Sequence, residues 1–455
     1  MSRDSVSSVA AGRSARKRSP RSTIGRWAPA PDRSDPLDVL EGQAAHRVPE
    51  LLPIRYGRMA ASQFAFLRGA PAVMAGDLAA HPDSGLAVQL CGDAHLSNFG
   101  LFASPERALL FDLNDFDETL PGPFEWDLQR LAASVAVAAR ANGASDAVAH
   151  AAAQAAGRGY RSAMRRLAGG GELDVWYERV DTAELLALLE RYKRKVRRRV
   201  GGTLAKAREH TSLQALAKLT EPGPDGQPRI RVEPPLLQPG DENDLVAVAQ
   251  MYRDYRETVP EERRMLLDRY QCVDAARKVV GVGSVGTRCF IVLLLGRVSG
   301  EPLFLQVKEA ERSVLAPYVL PYAAPDAHRH QGHRVVHGQR VLQAASDIFL
   351  GWTTGPAGRH FYWRQLRDMK GSAVIDGMPR AELRDYAALC GRTLARAHAR
   401  SGDRVAIAAY LGSGDQFDRS LADFALAYAE QTRSDHGALL AAIRSGRVQA
   451  AAEST

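Results

Sequence analysis

The sequence predicts an α+β fold with two lobes, a larger helical lobe and a smaller lobe rich in β-strands. Apolar residues at helical spacing dominate most of the chain, whereas residues 276–370 are rich in Val, Ile, Leu and Phe and are interrupted by glycines, which is typical of strands and hairpins. The chain has 455 residues, of which 45% are apolar and 25% are charged. This length and this composition predict a globular protein with a substantial core.

The prediction divides the chain into five segments. They are a disordered basic tail (1–40), a helical lobe with two polar loops (41–275), a β-rich lobe (276–370), helices that complete the helical lobe (371–440) and a flexible C-terminus (441–455). The tail is poor in aliphatic residues and cannot bury a core. Its first 35 residues carry +5 of the net charge of +8. Because the remaining chain is nearly neutral, its charge argues against a nucleic-acid partner.

The cysteines and the apolar runs indicate the compartment. The four cysteines lie far apart and form no CxxC pair, which favours reduced core thiols over a disulfide framework or a zinc site. They are Cys91, Cys272, Cys289 and Cys390. No apolar run approaches the roughly 18 residues of a membrane span, and the tail lacks the apolar segment of a secretory signal. We therefore expect a cytoplasmic protein without a membrane partner.

Two helices have clear sequence signals. One begins after the prolines at 121 and 123, has Asp127 in its first turn and ends at Asn142-Gly143, as helix starts and C-caps do. Another covers 381–400, where apolar residues recur at steps of three and four. Further helices are predicted over 57–70, from 145 to 168, through most of 172–275 and over about 333–347.

The first polar loop is CGDAHLSNFG, residues 91–100, which follows a short predicted strand; we call it the Asp93 loop. A second one, FDLNDFDE over 111–118, follows a β-hairpin and is called the acidic loop. Phosphoryl transfer needs a carboxylate to orient the attacking hydroxyl, and an amide oxygen and a second carboxylate to hold Mg²⁺. Asp-x-x-x-x-Asn followed by an Asp supplies that set in that order. The alternative is that these residues only shape turns and cap a solvated edge.

A glycine-rich loop, GVGSVGT over 281–287, lies between two predicted strands. Its G-x-G-x-x-G pattern does not open a helix, which disfavours a dinucleotide-binding turn. The pattern suits a hairpin that lies over nucleotide phosphates, with a lysine on the next strand. Lys308 occupies that position in FLQVKEA. The alternative is a tight hairpin with a lysine that extends to solvent.

Together with EWDLQRLAAS at 125–134, these motifs resemble the catalytic core of aminoglycoside phosphotransferases and choline kinases, in the protein-kinase-like superfamily. The resemblance implies ATP and Mg²⁺ as cofactors and a two-lobed kinase-like fold. The roles that it implies are a catalytic base (Asp93), metal ligands (Asn98 and either Asp115 or Asp112), residues that support the Asp93 loop (His95 and Asp127) and nucleotide-binding residues (Gly281, Gly283, Ser284, Gly286 and Lys308).

More closely, about 50–430 resembles a large bacterial family, domain of unknown function 2252. The phrases that carry this resemblance include RYGRM, CGDAHLSNFG, NDFDET, GVGSVGT, QVKEA and GQRVLQAASDIFLGW. That family brings no established reaction with it.

Two departures from the kinase-like pattern shape the expectation. The glycine-rich loop and its lysine follow the Asp93 loop instead of preceding it, which implies a circular permutation. The lysine normally pairs with a helix glutamate, and there is none between Glu311 and Glu382. The remaining candidates for a partner of Lys308 are Gln339, Gln343 and Asp347 on the following helix, or Glu309 and Glu311.

The expected function is Mg²⁺-ATP-dependent transfer of a phosphoryl group to a hydroxyl of an unknown small molecule or protein. One alternative is a pseudokinase that binds nucleotide without transfer. Another is a polyanion-binding regulatory protein that uses the tail and the basic run at 191–200. Arg58 and Arg68 are candidates for contact with an anionic substrate, or for surface and ion-pair roles.

Overall fold

A computed structural model describes residues 3–190, 194–209, 212–223, 226–234, 237–239, 242–279, 281, 283, 285–320, 322, 329–366 and 369–451. Among the predicted site residues, Ser284 lies outside these ranges, and so does the start of the basic run at 191–200. The fold is a mixture of helices and several antiparallel sheets, which confirms the α+β class. No described helix is both long enough and apolar enough to cross a membrane.

The described α-helices are numbered in chain order. They are α1 (Arg3–Arg18), α2 (Pro36–Ala44), α3 (Leu52–Ala60), α4 (Gln63–Gly69), α5 (Pro71–Ala79), α6 (Phe124–Ala141), α7 (Asp146–Leu167), α8 (Glu172–Tyr177), α9 (Thr182–Leu189), α10 (Arg194–Glu209), α11 (Ser212–Leu219), α12 (Glu242–Arg256), α13 (Glu261–Leu267), α14 (Gln331–Leu342), α15 (Arg380–Ala399), α16 (Arg404–Leu411) and α17 (Gln416–Arg444).

The described strands are numbered in the same way. They are β1 (Ala87–Leu90), β2 (Phe99–Ala103), β3 (Leu109–Leu113), β4 (Leu120–Pro123), β5 (Val180–Asp181), β6 (Thr220–Pro222), β7 (Pro228–Ile230), β8 (Leu237–Pro239), β9 (Tyr270–Lys278), β10 (Cys289–Gly296), β11 (Pro302–Glu309), β12 (Gly351–Thr354), β13 (His360–Gln365) and β14 (Gly371–Ser372).

A six-stranded antiparallel sheet has the order β12-β13-β11-β10-β9-β8. It begins before residue 276, because β8 and the start of β9 belong to it. The glycine-rich loop joins β9 to β10. In the register of the sheet Lys308 lies opposite Cys289 on one side and Tyr362 on the other, so the lysine stands beside the end of the glycine-rich loop.

Helices cover both faces of this sheet. On one face α12 contributes Tyr255, whose ring stacks on Trp363 at 4.7 Å between centroids. On the other face Ala215 of α11 packs with Phe304 and other buried residues of β9, β10 and β11. Since side chains alternate along a strand, Phe304 and Lys308 point to the same face. The helix α11 therefore covers part of the face that carries Lys308.

The main core lies where α6, α7, α15 and α17 pack together. Most residues of α6 are buried on every side. The helices α7 and α15 approach closely because glycines face backbone: a Cβ on Gly159 would lie 2.2 Å from the Ala388 carbonyl oxygen, and one on Gly391 would lie 2.1 Å from that of Ala156. Two short sheets, β1-β4 and β14-β2-β3-β5, hold the Asp93 and acidic loops against this core.

The N-terminal segment differs from the predicted disordered tail over 1–40. Residues from Arg3 onward form α1, which packs on α16. The indole of Trp27 is buried against Tyr428. The guanidinium of Arg33 pairs with Asp77 at 2.6 Å and Asp435 at 2.6 Å. Composition alone suggested disorder, but these few anchors dock the segment on helices that lie far away in the sequence.

The C-terminal end is also ordered over its described part. The last helix, α17, continues to Arg444, and the backbone N–H of Ala451 donates to the Pro53 carbonyl at 2.8 Å. This departs from the predicted flexible segment 441–455 up to residue 451. The first described helix, α1, and the last described residue, Ala451, therefore both pack on other helices of the chain.

Candidate active site

Asp127, in the first turn of α6, fixes the backbone at the start of the Asp93 loop. The Asp127 carboxylate accepts hydrogen bonds from the backbone N–H of Cys91 at 2.7 Å and of Gly92 at 2.9 Å. It also accepts one from Nε2 of His398 at 3.1 Å, and Nδ1 of His398 accepts from the Tyr160 hydroxyl at 3.0 Å. This buried chain fixes the start of the loop and fits the supporting role expected for Asp127.

Gly92 is required where the loop turns. Its φ is +86°, in the left-handed region, and a Cβ there would lie 2.3 Å from the Glu118 carbonyl oxygen. A side chain at residue 92 would therefore push the Asp93 loop away from the acidic loop. The absence of a side chain lets the two loops touch.

Asp93 is 20% exposed at its side chain and is held by two neighbours. Nε of Arg130 donates to its Oδ1 at 2.8 Å, and Nε2 of His95 lies 3.6 Å from its Oδ2. Burial lowers the pKa of His95 to about 4, although Asp93 opposes this shift. A neutral His95 therefore stands beside Asp93 at neutral pH, while Arg130 fixes the orientation of the carboxylate.

Asn98 joins the two loops. Its Nδ2 donates to the backbone carbonyl of Asp93 at 2.9 Å and to that of Asp115 at 3.0 Å. Since only the NH₂ group can donate to carbonyls, these bonds also fix the position of Oδ1. Among the described residues this buried Oδ1 has no hydrogen-bond partner. A buried amide oxygen without a partner is costly unless something outside the chain binds it.

Lys308 meets the acidic loop from the sheet. Its Nζ lies 3.5 Å from Oδ1 of Asp115 and forms a hydrogen-bonded ion pair with Asp117. Burial by itself lowers the pKa of this lysine, but the carboxylates of Asp115 and Asp117 raise it well above its ordinary value. The hydroxyl of Tyr362 donates to Asp117 Oδ1 at 2.7 Å and holds that carboxylate in place.

Asp117 is the partner of Lys308 that the sequence analysis missed. Nε2 of Gln339 instead donates to Gln343 at 2.9 Å, and Glu309 pairs with arginines at 288 and 359. Asp117 is two residues after Asp115 in the same loop, where the chain makes a turn at 117–118. Both carboxylates reach Lys308 from this loop, and no local pattern predicted which of them would do so.

Asp112 and Asp115, the two candidate metal ligands, occupy different environments. Asp112 is 1% exposed, forms an ion pair with Arg396 and accepts the Ala344 N–H at 2.8 Å. Asp115 has a side chain that is 47% exposed, beside Lys308. The contacts of Asp112 are those of a structural residue, so Asp115 is the better candidate for a metal ligand.

The glycine-rich loop rests on the N-terminal part of the chain. The Val48 N–H donates to the Gly286 carbonyl at 2.8 Å, and Arg47 donates to the Val285 carbonyl at 2.5 Å. Gly286 has a φ of +93°, and a Cβ on Gly283 would lie 3.5 Å from the carbonyl oxygen of Arg68. This loop therefore lies directly over the end of α4. Gly281 is also among the described residues of the loop.

The oxygen donors fit Mg²⁺. Within the described ranges, no three His, Cys, Asp or Glu side chains are grouped to hold a metal ion by themselves. Mg²⁺ often takes only one or two carboxylates from the protein and completes its shell with phosphate oxygens and water. Asn98 Oδ1 and the Asp115 carboxylate are hard oxygen donors of the required kind, and their loops are joined through the amide of Asn98.

Two cavities adjoin the site. One, of about 230 Å³, is lined by polar residues that include Asn114, Gln339, Arg364 and Lys370. Burial, reinforced by Arg364, lowers the pKa of Lys370 to about 7. The other, of about 950 Å³, lies between β2, β14, α7 and α15 and is mainly apolar. Space is therefore present on both sides of the β2–β3 hairpin.

Fold and site define an α+β protein in which two polar loops of a helical region face a buried lysine on an antiparallel sheet. The chain belongs to DUF2252, a family described as uncharacterized proteins conserved in bacteria, whose profile matches residues 47–442. This confirms the resemblance to that family over most of the chain. No curated protein and no solved structure matches the chain significantly. The resemblance to kinases and the permutation stay predictions.

Proposed function

We propose that this protein is a Mg²⁺-ATP-dependent phosphotransferase with a permuted kinase-like fold, and that it acts on a hydroxyl of a small molecule or protein. The observation that carries the proposal is the approach of Lys308 Nζ to Asp115 Oδ1, at 3.5 Å. These residues come from distant parts of the sequence and were assigned to phosphate and metal binding for separate reasons. Their meeting next to Asp93 and Asn98 supports one shared site.

The phosphates of ATP would lie between the glycine-rich loop and Lys308. Backbone N–H groups can approach phosphates where glycines leave room, and the lysine supplies a positive charge. Asn98 Oδ1 and Asp115 would hold Mg²⁺, which neutralises charge on the phosphates when it is bound. Asp117 pairs with the lysine and would keep the ammonium in place for phosphate oxygens.

Asp93 would act on the acceptor. The acceptor oxygen forms a bond to the terminal phosphorus, the bond between that phosphorus and the bridging oxygen of ADP breaks, and the hydroxyl proton passes to the Asp93 carboxylate. The hydrogen bond from Arg130 at 2.8 Å holds the Asp93 carboxylate in one orientation. Because the transition state of phosphoryl transfer is loose, orientation of the hydroxyl matters more than base strength.

The first test is thermal unfolding of the full chain with and without Mg²⁺-ATP, for the wild type, Lys308→Ala and Asp93→Asn. A ligand at a hundred times its Kd stabilises by about 2.7 kcal/mol. We expect a shift in the wild type and in Asp93→Asn, and none in Lys308→Ala. The absence of a shift in the wild type at millimolar nucleotide would contradict the proposal. Transfer itself is then tested by release of labelled terminal phosphate or its capture by candidate acceptors.

A nucleotide-binding pseudokinase is the second candidate, because one observation favours it. The Asp93–Arg130 ion pair occupies one oxygen of the proposed base. On this alternative Mg²⁺-ATP stabilises the wild type, but no acceptor or water takes its terminal phosphate. The polyanion alternative is weakened, since the basic tail is docked on the helical body.

A further inference from the structure

Arg68, in the last turn of α4, is a half-buried arginine. Its Nε is buried and has no hydrogen-bond partner among the described residues. Burial lowers its pKa, and this shift is opposed first by Asp93. Burying a guanidinium nitrogen without a hydrogen-bond partner is costly. Such an arrangement is expected where a ligand supplies the missing acceptor.

Two other buried arginines around the site have hydrogen-bond partners on every side-chain nitrogen. Arg130 pairs with Asp93 and also donates to the Leu67 carbonyl at 2.7 Å. Arg334 donates to the carbonyls of Thr119 at 2.9 Å and Glu311 at 2.8 Å. Arg47 and Arg55 also have a buried Nε without a partner, but a terminal nitrogen of each donates to a carbonyl, that of Val285 and that of Gly69 respectively.

The position of Arg68 indicates which kind of ligand it would bind. Its backbone lies under Gly283 of the glycine-rich loop, where a Cβ would be 3.5 Å from the Arg68 carbonyl oxygen. The carbonyl just before it, that of Leu67, binds the arginine that holds Asp93. The end of α4 thus touches both the loop that would cover the phosphates and the partner of the proposed base.

We propose that Arg68 is a catalytic residue that binds the phosphoryl group during its transfer from ATP to the acceptor. This inference rests on the proposed phosphotransferase function and adds a residue that lies outside its predicted motifs. The group under transfer spreads negative charge over three oxygens. A guanidinium matches two of them with parallel N–H donors, which an ammonium cannot do. Arg68 would therefore act from the same chain, and Lys308 would hold the other phosphates.

The test compares ligands that differ at the terminal phosphate. Binding of Mg²⁺-ATP, Mg²⁺-ADP, and Mg²⁺-ADP with fluoride, which imitates the planar phosphoryl group, is measured by calorimetry for the full chain. We expect Arg68→Ala to lower the affinity for Mg²⁺-ATP roughly 10- to 100-fold, because a hydrogen bond between charged groups contributes that much to binding. The affinity for Mg²⁺-ADP should not change. In Arg68→Ala, Mg²⁺-ADP with fluoride should no longer bind more tightly than Mg²⁺-ADP alone. Arg68→Lys should recover part of the affinity for Mg²⁺-ATP but not the tighter binding seen with fluoride.

Arg312→Ala is the control, because it removes an arginine that is exposed. It should change none of the three affinities. Equal ATP-to-ADP preference in the wild type, Arg68→Ala and Arg68→Lys would overturn the inference while leaving the phosphotransferase proposal standing. Failure of the wild type to bind any of the three ligands would instead overturn the proposed function. Arg68→Lys keeps the charge and length of the side chain, so it covers the case in which Arg68→Ala does not fold.

Discussion

Replacement of Asp127 by alanine tests whether the Asp93 loop is held from α6. The substitution removes the acceptor for two buried backbone N–H groups, at 2.7 and 2.9 Å. Each orphaned donor costs about 1–3 kcal/mol, so we expect Asp127→Ala to lower the free energy of unfolding by about 2–6 kcal/mol. Asp127→Asn keeps one acceptor oxygen and should cost about half as much. The measurement is urea unfolding followed by the summed fluorescence of the five tryptophans, one of which, Trp126, is buried next to the substituted residue.

Asp403 provides a matched control. It also accepts two backbone N–H bonds, from Val405 at 3.1 Å and Ala406 at 2.9 Å, but it does so as the exposed cap of α16. Water can replace it there, so Asp403→Ala should cost only about 1 kcal/mol. Equal losses for the substitutions at Asp127 and Asp403 would refute the reasoning, because burial would then add nothing. A loss below about 1 kcal/mol for Asp127→Ala would do the same.

Three further predictions concern other parts of the fold. Arg33→Ala leaves two buried carboxylates facing each other and should cost about 3–5 kcal/mol in chemical unfolding; an unchanged midpoint would mean that the N-terminal segment is not anchored there. Burial raises the pKa of Glu125 to about 8, so the folded state holds a proton that the unfolded state loses above about pH 4.5. Stability should therefore fall by up to about 1.4 kcal/mol per pH unit between pH 4.5 and 8, and Glu125→Gln should remove that part of the slope in urea unfolding. Gly391→Ala inserts a Cβ 2.1 Å from a carbonyl oxygen of α7 and should lower the thermal midpoint. Gly437→Ala meets nothing within 4 Å on α17 and should raise it through helix propensity; a lower midpoint for both would show that helix packing is not the cause.

Local patterns in the sequence predicted the loops and strands that carry the candidate site. The Asp93 loop, the acidic loop and the glycine-rich hairpin are each short segments whose turn and strand signals are contained in ten or so residues. The expected position of Asp127 in the first turn of a helix is also a local signal, and the structure places it there. The α+β class follows from the same kind of periodicity.

Pairings between distant residues could not be predicted in this way. Asp117 and Lys308 are 191 residues apart, and nothing in either segment specifies the other. The burial of Asp112 likewise depends on Arg396, from a helix near the end of the chain. In both cases several carboxylates could pair with a cation, and tertiary packing determines which of them does.

Arg33 has a counterpart that lies 402 residues further along the chain, at Asp435, and α1 packs on α16. A ribosome adds about 5–20 residues per second, so about 20–80 s pass between synthesis of the arginine and of this aspartate. During that interval Asp77 is already present, but the part of the N-terminal segment's docking surface formed by α16 and α17 does not yet exist. We therefore expect its attachment to be a late, post-translational step, and a nascent chain stalled before α16 should lose this segment to a protease that the finished protein resists.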